Sequence, residues 1–429
     1  MTRWPFSPPA IGVALTCEGP APSLTDLARW VRERWGLLPR LSWVLTPRPP
    51  RRRTRGGHTW SYGSNFEPAL HISYEPSPES YEQRMQQLLT EPFPPDLPPW
   101  RLHVLPDPSD TEFTLLLRVH HALFDGRSMI NLARILLGEP PGQTPAQQHR
   151  GGLRPLRQLR NLARSLRTSL TAGTAVPMPS PGVPEPAYAW RPVPLDLIHR
   201  ARTTLPSQAT TSEVLLAAVA GVLRAGLGPA QTPAPRQRPV FASVPIDTRP
   251  AGYRHRLGND FGVARIALPT NLDDPKQRLA ACTGLLEPAL HRPALTLGRS
   301  LLRAASAVNP ALIDKALAPS YEPAYSAASC TFLPLPGKSL ALDHRPLRRL
   351  RGFLMVPPPG TAAFFLLGSS SGYTLNVVSN ASSKDAQVLA DAMLRELGLL
   401  AGHTPAQPPV NTTSAHQRQQ THHTGTTGR

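Results

Sequence analysis

The sequence predicts an α/β chain built in two halves. Strand-like runs alternate with amphipathic helical runs on both sides of a Pro-rich stretch at 139–190. At 429 residues the chain is long for a single hydrophobic core, so two domains are the expectation. Its 40% hydrophobic content is ordinary for a soluble protein.

The first half is placed at 1–138. "IGVALTCEG" (11–19) reads as a strand. "SLTDLARWVRERWGLLPRL" reads as a helix capped by Ser23, with Leu27, Trp30, Val31 and Trp35 at helical spacing and Pro39 as its stop. "RPPRRRTRGG" (48–57) is expected to be a charged loop, "ALHISYE" a short strand, and the segment from Ser77 to Phe93 a second helix. "WRLHVLP" and "FTLLLRVHHAL" read as two strands joined by the turn signal "DPSD". "GRSMINLARILLG" follows as a helix stopped by Gly138.

The stretch 139–190 is expected to be an extended crossover, and 53 prolines in the chain favour such segments. Inside it, leucines at 153, 156, 159, 162, 166 and 170 alternate with arginines at 154, 157, 160, 164 and 167. That pattern is a basic amphipathic helix. Its apolar stripe either docks on the protein or lies on an anionic membrane surface. The second half, 191–402, repeats the theme. "TSEVLLAAVAGVLRAGLG", "DDPKQRLAACTGLLEPAL", "GRSLLRAASAV" and "SKDAQVLADAMLRELGLLAG" read as helices, the last capped by Ser383. "RPVFASVPID" and "GVARIALP" read as strands, and "AAFFLLGSSSGYTLNVVS" as a hairpin. The tail 403–429 lacks apolar periodicity and is expected to be disordered.

Composition narrows the function classes. The net charge is +18, almost all from arginine, since lysine stands only at 276, 315, 338 and 384. Such a balance suits nucleic acid, an anionic membrane or an anionic substrate, or reflects a general preference for arginine. No aromatic interleaving or base-reading motif accompanies it, so nucleic acid is set aside. Cys17, Cys282 and Cys330 lie far apart, which argues against a disulfide framework or zinc site and fits a reducing compartment. The first residues show no secretory leader pattern. The longest clean apolar run, Val214 to Leu223, is about half the ~20 residues of a spanning helix. A cytoplasmic protein is expected, with any membrane contact peripheral on the inner face.

The chemistry concentrates in "HHALFDG". Adjacent side chains on a strand point to opposite faces, so only one of His120 and His121 can face a given cleft. Asp125 sits in the turn before the next helix, where it can hold that turn through an ion pair, and Gly126 permits a tight strand-to-helix transition. One reactive imidazole, one supporting histidine, one structural carboxylate and one hinge glycine follow. The bland alternative is two ordinary histidines at a strand end. A metal site needs a third ligand, and no His/Cys cluster stands at ligand spacing.

"HHALFDG" resembles the HHxxxDG signature of CoA-dependent acyltransferases and condensation domains. Within that superfamily the chain looks most like the bacterial wax ester synthase/diacylglycerol acyltransferase family, over residues 10 to 402. Pro98, Pro99 and Trp100 stand where the family has Pro-Leu-Trp. "TTSEVLLAAVAGVLR" matches a family helix, with Ser212 and Glu213 replacing an Asn-Asp pair. "VPIDTRPAGYRHRLGNDFG" matches its "PVxxR…LGNxxG" stretch. "SCTFLPLPGK" matches its Ser-Asn-Val-Pro-Gly-Pro loop, with Ser329 kept, Cys330 where Asn is expected and Pro336-Gly337 displaced.

The resemblance implies two chloramphenicol-acetyltransferase-like α/β halves with the active-site tunnel between them. It implies O-acyl transfer from acyl-CoA to a long-chain alcohol or diacylglycerol, forming wax ester or triacylglycerol. No cofactor is implied beyond acyl-CoA as co-substrate. His121 would be the general base and His120 a supporting residue. Asp125 would point away from substrate and pair with an arginine of the second half, with Arg249 as the candidate. Trp100 would support the site or simply fill the core beside it. Asn259 would line the tunnel or shape a turn, and Ser329 would donate near the carbonyl oxygen. The implied partners are acyl-CoA, the acceptor and a membrane or lipid-droplet surface. A condensation-like transferase with a specialised acceptor, or a non-catalytic lipid- or protein-binding module, are the alternatives.

Overall fold

The computed structural model describes residues 10–48, 57–63, 66–76, 81–140, 167–168, 171–176, 186–227, 238–290, 320, 322–335, 340–354, 356, 362–370, 372–380 and 383–403. Outside them lie most of the charged loop at 48–57, all but two residues of the basic helix at 153–170, the helix expected at 298–308, Pro336-Gly337 and the tail from 404.

In the first half the strands are β1 (Ala10–Glu18), β2 (Trp43–Arg48), β3 (Gly57–Tyr62), β4 (Ile72–Tyr74), β5 (Trp100–Pro106) and β6 (Glu112–His120). The helices are α1 (Leu24–Trp35), α2 (Tyr81–Thr90) and α3 (Gly126–Leu136). Ser23 caps α1 by accepting from Asp26 N at 3.1 Å, and Leu27, Trp30, Val31 and Trp35 form its buried stripe. The helix stops at Gly36, before the expected Pro39, which instead opens a short 3-10 turn. β2 and β3 pair antiparallel as a separate two-stranded ribbon.

The second half carries β7 (Ala187–Val193), β8 (Val240–Asp247), β9 (Phe261–Leu268), β10 (Ala328–Pro334), β11 (Ala341–Leu342), β12 (Arg345–Phe353), β13 (Ala362–Ser369) and β14 (Gly372–Ser379). Its helices are α4 (Leu195–Thr203), α5 (Thr211–Leu227), α6 (Pro275–Cys282) and α7 (Ser383–Leu400). The helix expected over 273–290 is broken, because Gly284 takes φ 76 after α6 and a helical turn resumes only at Glu287–Leu290.

The strands form two six-stranded sheets, ordered β11-β12-β1-β6-β5-β4 and β7-β14-β13-β10-β8-β9. Two strands depart from the division read from sequence. β7 begins within the stretch assigned to the crossover and runs past its end at 190, yet it pairs antiparallel with β14 and edges the second sheet. β12 follows β10 in the chain but pairs antiparallel with β1, so the second half completes the first sheet. Its sequence, RPLRRLRGF, hides it as a strand. The charges are satisfied across the sheet, where Arg348 pairs with Glu18 and Arg349 with Glu112.

β13 shows how the halves share a core. Ala363, Phe365 and Leu367 pack into the first-half cluster, whereas Ala362, Phe364 and Leu366 pack into the second. A strand buried on both faces must be apolar at every position, which is why it reads AAFFLL. The crossover re-enters the described structure at 167, where Arg265 donates to the carbonyls of Thr168 and Thr171 at 2.5 and 2.6 Å.

Candidate active site

β6 delivers the two histidines to the seam between the sheets. His120 is the last strand residue, paired with Ala10, and its N–H donates to Pro99 O at 2.9 Å. Proline at 99 is therefore harmless: the carbonyl is the group in use. The chain then turns, with Leu123 N bonded to His120 O at 2.9 Å, and Asp125 opens α3. Asp125 has extended backbone and its Oδ1 accepts from Ser128 N at 2.9 Å, an N-cap.

The imidazoles face different surroundings, because His120 ends the strand and His121 opens the turn. His120 is buried beside Phe93, and its Nδ1 accepts from Ala122 N at 3.1 Å. Burial, helped by the neighbouring His121, pushes its pKa down to about 4, so it is neutral at working pH. His121 is half-buried and borders a cavity of about 620 Å³ between the halves. Burial lowers its pKa as well, opposed by nearby backbone carbonyls and by the charge of Asp125. Its Nδ1 is buried without a hydrogen bond to any described residue, which leaves Nε2 as the nitrogen for the cavity.

A clamp from the second half fixes this turn. Asp125 Oδ2 accepts from Arg249 Nη2 at 2.8 Å and from Asp260 N at 2.7 Å. Gly258 O accepts from Asp125 N, Ser128 Oγ and Arg249 Nη2, and Gly258 N donates back to Ser128 Oγ at 2.9 Å. Asn259 Nδ2 donates to His121 O at 2.8 Å. Asp125 and Arg249 are both 3% exposed, so the pair works in a poorly screened setting. Gly258 is required by its backbone: φ is 155, and a Cβ there would lie 3.3 Å from Arg40 Cζ.

Asp125 and Arg249 meet as expected, and Trp100 is buried beside the histidine strand. Its Nε1 donates to Leu41 O at 2.8 Å and its ring stacks on His71 at 4.0 Å, so it is a core residue away from the cavity wall. Three expectations change. Gly126 has no left-handed backbone; a Cβ there would come within 2.8 Å of Leu333 Cδ1, so the glycine makes room at the cavity rather than serving as a hinge. Asn259 holds the backbone of His121 rather than lining the tunnel. Ser329 lies short of the cavity. Thr331 and Leu333, further along the same face of β10, line it, because they pair with Phe365 and Leu367 at the level of the seam.

The motif departures also have local reasons. Glu213 closes a capping box with Thr210, whose N and Oγ1 donate to Glu213 Oε2 at 2.7 and 2.9 Å. Its other oxygen accepts from Gly284 N at 2.7 Å. Cys330 is buried in the second core, and burial raises its thiol pKa, as it raises Cys17 and Cys282 to about 12. None of the three suits a nucleophile's role. Among the described residues no His, Cys, Asp and Glu side chains gather as a metal-ligand set. Ser128, Gly258, Asp260 and Phe261, whose ring lies 5.6 Å from that of His121, were not singled out from sequence. The "LGNDFG" block was the signal that could have found the last three.

Residues 11–234 match the family described as wax ester synthase/diacylglycerol acyltransferase catalytic domain, which is more than half of the chain. A Mycobacterium tuberculosis protein that carries the name probable diacylglycerol O-acyltransferase is 26% identical over 267 residues, 53% of this chain and 57% of that protein. The chain thus spans little more than half the length of that relative. A second protein of the same organism, also named for diacylglycerol O-acyltransferase activity, is 26% identical over 358 residues, 72% of this chain and 70% of its own. The fold is shared with the wax ester synthase/diacylglycerol acyltransferase of Marinobacter aquaeolei VT8, at TM-score 0.61 and 19% identity over 92% of this chain and 95% of that one. It is shared too with a starter condensation domain of rhizomide synthetase solved with C8-CoA, at TM-score 0.62 and 12% identity over 93% and 91% of the two chains.

Proposed function

The chain belongs to the wax ester synthase/diacylglycerol acyltransferase family, and from that membership we propose that it transfers a fatty acyl group from acyl-CoA to the hydroxyl of a long-chain alcohol or diacylglycerol. The observation that carries the reading is His121: of the two motif imidazoles, it is the one that borders the cavity between the halves. The acceptor oxygen attacks the thioester carbonyl while His121 Nε2 takes its proton. The new C–O bond forms, the C–S bond breaks, and the imidazolium returns the proton to the CoA sulfur. A neutral aliphatic hydroxyl is a poor nucleophile, so such base catalysis contributes about 10²–10⁴-fold. Burial lowers its pKa and so favours the neutral imidazole, the form that accepts a proton.

The other residues support this step from the side. Arg249, Asp260 N and Ser128 N occupy Asp125, so its carboxylate holds the turn and leaves the base alone. Asn259 fixes the carbonyl of the base residue. No cofactor is needed, since the thioester supplies the activation. No described helix is long and apolar enough to cross a membrane, and we place any contact with membrane or lipid droplet at the surface.

The test is CoA thiol release by the purified chain from palmitoyl-CoA, with hexadecanol or dioleoylglycerol as acceptor. Acceptor-dependent release that disappears in His121→Ala is expected, and the better acceptor names the branch. The absence of release with both acceptors would overturn the neutral-lipid reading. A polar stretch of cavity wall, from Thr210, Ser212 and Glu213, favours one second reading, a related transferase with a more polar acceptor.

A further inference from the structure

The cavity wall is not electrically uniform. Arg127 and Arg254 line it together, next to Asp247 and the occupied Asp125–Arg249 pair. Arg127 follows Gly126 at the start of α3, and its Nε is buried without a hydrogen bond to any described residue. The nearest carboxylate oxygen, Asp247 Oδ2, lies 3.8 Å from that Nε and is likewise buried without one. Such a pair is too long to satisfy either group. Arg254 is exposed, but its backbone is held: Asn131 Nδ2, from α3, donates to Arg254 O at 2.9 Å. The loop is thus fixed while the guanidinium stays reachable from solvent.

The charges around Arg127 are Asp247, Arg254, Arg249 and Asp125. Three cations thus face two carboxylates, and both carboxylates already bond Arg249. Glu213 and Glu287 line another stretch of the wall and are not among these neighbours. The helix N-terminus adds nothing here, because Asp125 already caps it. What is left over is positive charge and an unsatisfied guanidinium N–H, at a cavity that also holds the proposed base. Guanidinium groups bind phosphate oxygens by paired, charge-assisted hydrogen bonds.

We propose that Arg127 and Arg254 form a phosphate-ester subsite that anchors the phosphates of the CoA donor and so sets the side from which the thioester reaches His121. The donor's identity rests on the acyl-CoA reading above. The phosphate chemistry rests on the two arginines alone.

The test has a binding arm and a turnover arm. In the first, CoA is titrated calorimetrically into the full chain, with 3′,5′-adenosine bisphosphate as competitor. Arg127→Gln/Arg254→Gln is expected to weaken CoA binding by about tenfold or more. Arg254→Glu, a reversal at an exposed position, is expected to weaken it as well and guards against misfolding of the double variant. In the second, palmitoyl-CoA is compared with palmitoyl-pantetheine, which has the same thioester and no phosphate. The preference for the phosphorylated donor, as a ratio of kcat/KM values, is expected to collapse by a similar factor in the variants. Unchanged CoA binding, or an equal loss with both donors, would overturn the subsite. So would a larger loss from Arg40→Gln/Arg256→Gln, which line a neighbouring cavity of about 250 Å³ behind Arg249. CoA binding that depends on Arg127 and Arg254 without transfer to any acceptor would uphold the subsite while removing the transferase reading.

Discussion

Two regions of this molecule place a histidine near a carboxylate, a serine and an arginine, and they serve opposite ends. In the first half, His103 Nδ1 lies 2.8 Å from both Glu75 Oε1 and Ser73 Oγ, and Arg84 pairs with the other oxygen of Glu75. The imidazole is 4% exposed and borders neither of the cavities described above. At the seam, no carboxylate among the described residues bonds the His121 ring; Asp125 is spent on Arg249, Asp260 N and Ser128 N. On paper the first cluster looks more like a catalytic constellation than the second. The difference teaches that a base needs a free nitrogen facing a cavity, whereas a carboxylate bonded to the ring inside one core makes only a structural contact.

The largest expected effect separates the two directly. His121→Ala should lower acceptor-dependent thiol release by about 10²–10⁴-fold at unchanged far-UV circular dichroism. His103→Gln should leave turnover within a few-fold; an equal loss in both variants would erase the distinction. Because burial lowers the pKa of His121, the acid limb of the kcat/KM profile should fall below the ordinary imidazole value of 6.5. A limb at or above that value would mean that another group is being titrated.

The next effect concerns what holds each region. Asp125→Ala removes one of the two carboxylates that bond the buried Arg249, leaving Asp247, and should cost roughly 1.5–3 kcal/mol in urea unfolding. Glu75→Gln should cost less, because Arg84 is 27% exposed at the side chain and can turn to water. The reverse order would show that the first-half cluster, and not the clamp, is the stiffer element.

Acid should then find both regions. Burial holds His103 and His120 at about 4, against 6.5 when unfolded. The unfolded chain therefore binds protons first, and the stabilising contribution, complete above the unfolded value, is lost as the pH falls from 6.5 towards 4. Each histidine contributes roughly 3 kcal/mol at most. His103→Gln should flatten this decline in urea midpoints measured across that range, and an unchanged slope would count against a neutral buried His103. The smallest effect belongs to the site's outer wall. Glu213→Ala removes the capping box and the contact to Gly284, and should cost about 1 kcal/mol in the same assay.

Much of the architecture was legible because it is written in local periodicity. β1, β5, β6, β13 and β14 are apolar runs or hairpins, and α1, α3 and α5 carry helical stripes with their caps. β12 was not legible, because four of its nine residues are arginines, and the carboxylate partners of Arg348 and Arg349, Glu18 and Glu112, are hundreds of positions away. At the site, the motif and the partner Arg249 were read through resemblance. The exact level of the cavity along β10 was not, since a parallel strand's register depends on neighbours remote in sequence.

By itself the sequence determined that this is a two-part α/β protein with a histidine pair at a strand end, since alternation, capping and turn residues act over a few positions. The tertiary structure decided which histidine meets the cavity. It also decided that Asp125 is a clamp, that Gly126 makes room for Leu333, and that Arg127 is left with an unsatisfied charge. Those outcomes depend on what the other half brings within hydrogen-bonding distance, and spacing along one chain does not encode it.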